Sequence, residues 1–130
     1  MKQNLRYLIG AALLLNGLAM LVAPAYWFHS VSGVQETGPL NFHLVRDVGC
    51  AYLVAAGGLA WRIINRGAPG ESAAVLAAGF LLLHAGVHLW EVAVGICGWS
   101  RFLQDVPGVV VPGFLVLWLS PADAKEAVHA

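Results

Sequence analysis

The feature that most limits what this chain can fold into is the spacing of its charges. Four long apolar runs, 5–27, 42–64, 72–97 and 103–119, are separated by short polar links. As helices, runs of roughly 17–25 such residues match the hydrocarbon core of a bilayer. Composition agrees: of 130 residues 59% are hydrophobic and 11% charged, and mean hydropathy is +0.74. A chain this short cannot hide so much apolar surface in one water-soluble core. In lipid the backbone must satisfy its own hydrogen bonds, which leaves helices for runs of this length. The expectation is an all-α integral membrane protein: one domain over 1–130, a four-helix transmembrane bundle with the lipid bilayer around it. The fourth run is the shortest. Pro107 is expected in its first turn, where a missing N–H costs little, and Pro112 is expected to kink it.

Orientation follows from Lys and Arg. Lys2, Arg6, Arg62, Arg66 and Lys125 fall on one side of a four-span layout, and Arg101 on the other, with Arg46 just inside the second helix. Both termini are therefore expected in the cytoplasm, with the protein multi-pass in a bacterial inner membrane. Trp27 and Trp99 would mark the outer interface, Trp61 and Trp118 the inner one. The basic start, apolar middle and Ala-x-Ala at Ala23 to Ala25 also fit a cleavable signal peptide, but the retained helix is the expected form. The link 29–41 reads as an outer loop, with Asn41 or Thr37 capping the second helix. Small-residue runs such as Ala55-Ala56-Gly57-Gly58 fit close helix packing.

Against this background the stretch LLLHAGVHLWEVAVG, Leu81 to Gly95, stands out. At 100° per residue His84, His88 and Glu91 share one face. On the second helix His43, Arg46, Asp47 and Cys50 also share a face. Antiparallel packing would bring these residues, with Asn16, into one outer-leaflet cluster. Charged groups in hydrocarbon are costly and should pair within the bundle. The first expected ion pair is Arg46 with Glu91, with Asp47 close by. Three chemistries suit the cluster. His43, Asp47, His84, His88 and Glu91 are ligand types for a transition metal. His84 or His88 has the chemistry of an axial ligand to b-type haem, or of a donor to a quinone carbonyl. His and carboxylates in series can also relay protons or ions. The plainer alternative is an internal polar network that locks the helices together.

Other residues carry less. His29 and His129 read as solvated, Cys50 as a packing residue, and Cys97 as lying too far from Cys50 for a disulfide. Net charge is zero with no basic run, so nucleic acid is not an expected partner. There is no CxxC, no phosphate-binding glycine loop and no nucleophile–base pair, so the sequence leaves enzymatic activity undecided.

The run TGPLNFHLVRDVGCAYLVAAGG resembles small four-helix bacterial membrane proteins with a loose DoxX-like layout. Asn41, His43, Arg46, Asp47 and Gly49 carry the resemblance, with His84 and His88 on the third helix. It covers about two thirds of the chain and implies the four-helix fold. The outer loop departs from DoxX sequences, so no redox role is carried over. Two functions follow as expectations. The first is an accessory or structural subunit of a larger membrane complex or homo-oligomer. The second is a metal-, haem- or quinone-binding redox or transport protein using the His84/His88/Glu91 face.

Overall fold

A computed structural model describes residues 1–121; Lys125 and His129 lie outside the described residues. The chain forms α1 (Lys2–Val22), α2 (Pro24–Ser30), a 3-10 turn (Val34–Thr37), α3 (Phe42–Ile64), α4 (Ala68–Ala93), α5 (Trp99–Asp105), a π-helical segment (Val106–Val110) and α6 (Val111–Leu119). No strand occurs among the described residues. Four helices are long and apolar enough to cross a membrane: α1, α3, α4, and the continuous run Trp99–Leu119. They pack antiparallel in the order α1, α3, α4, α6, with α3 held between α1 and α4. One end of the bundle carries the tight α3–α4 turn. The other carries residues 31–41 and the α4–α5 link.

The helix boundaries differ from the expected runs for local reasons. The first helix stops at Val22 instead of running to 27, because Pro24 disfavours the helical conformation of Ala23, which sits at φ −132, ψ 56. Pro24 then opens α2. The third span is Ala68–Ala93 rather than 72–97. Pro69 is tolerated in its first turn, and Gly95, at φ 78, ends it. There Ile96 N–H donates to Glu91 O (2.8 Å) and Gly95 N–H to Val92 O (3.1 Å), the paired bonds of a Schellman cap. The last span starts at Trp99, so Pro107 falls inside it and not in its first turn. The wider π turn takes up this proline. Asn41 caps α3 as expected, accepting from the backbone N–H groups of His43 and Leu44 at 3.1 Å each. The Thr37 hydroxyl instead donates to Val34 O.

Small residues set the helix spacing. A Cβ on Gly17 would lie 2.8 Å from Gly49 O, and one on Gly49 2.8 Å from Met20 Cβ, so α1 and α3 touch backbone to backbone. Gly58 makes the same approach to Ala73 O on α4, at 2.7 Å. Leu13, Met20, Tyr52, Leu59, Leu81 and Val116 fill the core between the helices.

At the turn end sits a feature the charge reading missed. Arg6 and Arg62, counted above only among the charges of one side, are fully buried. Arg6 Nε donates to Leu119 O (3.0 Å) and Nη2 to Pro121 O (2.9 Å). Arg62 Nε donates to Ser120 O (2.8 Å). The last carbonyls of a helix lack intrahelical partners and carry the negative end of its dipole. Two cations from α1 and α3 therefore fasten the C-terminus of α6.

Candidate functional site

The predicted polar cluster separates into three places. The first is the loop end of α4. The imidazole of His88 lies 3.0 Å through Nδ1 from Asp105 Oδ2, with the two side chains only 20% and 17% exposed. An ionised carboxylate accepts only, so Nδ1 carries the proton, and this fixes the tautomer and aim of the ring. Asp105 is the last residue of α5, at the point where the helix widens into the π segment.

This pair forms part of the wall of a cavity of about 360 Å³ between the 3-10 turn and the α4–α5 link. Glu36, Glu91, Cys97 and Arg101 also line it. Arg101 reaches Glu36 at 3.5 Å and Gln104 Oε1 at 3.1 Å. Its guanidinium crosses directly over Gly33, where any side chain would collide with it. Glu91 is half-buried, one turn from the end of α4. Its carboxylate has no hydrogen-bond or ion-pair partner among the described residues. The ionisable wall is thus three carboxylates against one guanidinium and one imidazole. Among the described residues, no three His, Cys, Asp or Glu side chains converge as metal ligands.

His84 lies behind His88, away from the cavity wall. Its ring stacks on Phe80 (6.0 Å, 15°) and meets Tyr52 (6.0 Å) and His88 (5.0 Å) edge-on. It is one plate in an aromatic wall that backs the site. Below Tyr52 the buried residues are apolar, from Ala55 and Ala56 to Leu59, until the Arg62 layer.

The second place is the exposed face of α3. His43 pairs with Asp47 at 3.3 Å on this surface, with side chains 88% and 59% exposed. The expected Arg46–Glu91 and Arg46–Asp47 ion pairs are not formed. Arg46 Nε donates to Leu21 O at 3.4 Å, and its guanidinium lies 5.9 Å from the Phe42 ring. The physical reason is rotation: Val45, Gly49 and Tyr52 fill the side of α3 that faces the bundle, so His43, Arg46 and Asp47 point away from α4. The five residues expected to share a metal are split accordingly, with His43 and Asp47 here and His84, His88 and Glu91 on α4.

The third place is α1. Asn16 Oδ1 accepts from Trp27 Nε1 at 2.9 Å, which ties α2 down onto α1 and keeps Asn16 out of the cluster. Cys50 and Cys97 are both free thiols.

The sequence reading found His88 and Glu91 but missed Asp105, Arg101 and Glu36. Glu36 and Arg101 come from segments read as links, and Asp105 from the edge of the fourth run. The usable signal was Gly98 as a helix N-cap, which extends the last span back to Trp99 and brings Arg101 into it. No family model matches the chain, and neither a curated protein nor a solved structure does, so the DoxX-like layout rests on the residues quoted for it alone.

Proposed function

We propose that the protein is a multi-pass protein of a bacterial inner membrane, with both termini cytoplasmic, whose outward-facing pocket binds a small organic cation of the protonated-amine class. The observation that carries this reading is the partnerless Glu91 carboxylate in the same wall as the His88–Asp105 pair. A cavity of about 360 Å³ lies at the small end of the range for ligand pockets. Its excess of carboxylates favours a cation, and an N–H-bearing cation can donate to Glu91. A bare transition metal is less favoured, because no three ligand side chains converge among the described residues. Haem or quinone ligation by His84 is less favoured, because that ring is packed within the aromatic wall. Binding is favoured over conduction, since along α3 the buried residues below Tyr52 are apolar, Ala55, Ala56 and Leu59, down to Arg62.

The test is calorimetric titration of the nanodisc-embedded protein with methylamine, guanidinium and tetramethylammonium, beside Zn²⁺, Mn²⁺ and acetate. Saturable binding of an N–H cation, weakened about 10- to 100-fold in Glu91→Gln and Asp105→Asn, is expected from loss of a charge-assisted hydrogen bond. Binding of acetate, or no binding of any cation, would overturn the reading. A second reading, an accessory subunit of a larger membrane complex, is favoured by one observation: α3 presents charged side chains on a face that no other described helix covers.

A further inference from the structure

The exposed face of α3 has a regular period. His43, Asp47, Cys50, Val54, Gly57 and Trp61 follow one another at steps of four and three residues, and Ile64 completes the series. All are exposed: Val54 is 75% open, Ile64 75%, and a Cβ on Gly57 would meet nothing within 4 Å. The opposite face, Val45 to Leu59, is buried against α1 and α4. That four-and-three spacing sets the residues in one line along the helix, the line on which a second helix can pack side by side. This line has no partner helix among the described residues.

Its loop-end portion is charged: Asp47 meets His43 on its own helix at 3.3 Å and stays 59% exposed, so its open side can accept from a cation of a second chain. Arg46 lies on the rim of the seam, one residue from Asp47, so the two differ in height by only about 1.5 Å. A two-fold axis along the membrane normal places equal heights opposite each other. Arg46 of one copy then faces Asp47 of the other, and the reverse pair forms by symmetry. The surface is complementary to itself. Further along, Gly57 lets the two backbones approach.

We infer that the protein forms a parallel homodimer through α3, locked by reciprocal Arg46–Asp47 pairs across the seam. This inference rests on the membrane-spanning arrangement and is independent of the pocket, which lies on the far side of α3 beyond α4. Cys50 sits on the seam and so reports on it, whereas Cys97 lies in the pocket.

The test uses the full chain in native membranes. In a Cys97→Ala background, mild oxidation is expected to link Cys50 to its counterpart in a chain-sized dimer. Val54→Cys in a cysteine-free background should cross-link as well, whereas Leu83→Cys, exposed on α4, should not. Arg46→Asp or Asp47→Arg alone should lower Cys50 cross-linking several-fold, and the double exchange should restore it. Equal cross-linking of Leu83→Cys, a monomer by native mass spectrometry in nanodiscs, or Cys50 adducts only to a different protein would each overturn the proposal.

Discussion

Arg62 donates to Ser120 O, and Ser120 Oγ donates in turn to Val116 O at 2.8 Å, so one guanidinium closes a short buried chain of bonds at the end of α6. Hydrogen bonds to charged groups contribute about 1.5–3 kcal/mol each, and truncation would also leave a void. Arg62→Ala is expected to cost about 3 kcal/mol, measured by reversible unfolding in mixed micelles. Arg62→Lys should recover only part of that loss, since an ammonium lacks the planar fork. An unchanged unfolding curve for Arg62→Ala would remove the latch from the account of stability. At this scale the sequence was only partly readable. An arginine three residues from a helix end looks the same whether its head turns to water or to a neighbouring helix. What decides is the presence of the α6 carbonyls, brought from 58 residues away for Arg62.

At the scale of the element, contact between α1 and α3 depends on two glycines facing each other. A Cβ at Gly17 would meet Gly49 O and Leu53 Cδ2, both at 2.8 Å. The leucine can turn aside, but the carbonyl cannot. Gly17→Ala is expected to destabilise by about 1–3 kcal/mol, as overpacking does. Gly86→Ala, on an open stretch of α4, should be neutral or stabilising by up to about 1 kcal/mol through helix propensity. Equal effects in the same micelle unfolding assay would mean that backbone contact does not set the α1–α3 spacing. The helices themselves were legible because predominantly apolar runs of bilayer length permit little else. Their ends were not, because Pro24 and Gly95 each lie inside an apolar run and act through backbone geometry rather than hydropathy. The site suffered from the same errors. Extending the third helix to 97 placed Glu91 about one turn too deep. Starting the fourth at 103 left Asp105 at its edge and Arg101 in a loop.

At the scale of the whole molecule, the site and the two thiols occupy different surroundings. Cys97 lines the cavity, whereas Cys50 sits on the exposed face of α3, in the proposed bilayer about two turns inside the start of the helix. Thiolates form readily only where water reaches. A membrane-impermeant maleimide added outside intact cells is therefore expected to label Cys97 and spare Cys50, and a bound cation should slow the labelling. Labelling only after the cells are opened would invert the proposed orientation. The latch at the turn end has a consequence for how the protein is made. Arg6 and Arg62 leave the ribosome with the first and second long helices, before α6. Their bonds to the carbonyls of Leu119, Ser120 and Pro121 form only once the end of α6 has arrived. A chain terminated before Leu119 thus lacks the carbonyls to which these two arginines donate in the finished bundle.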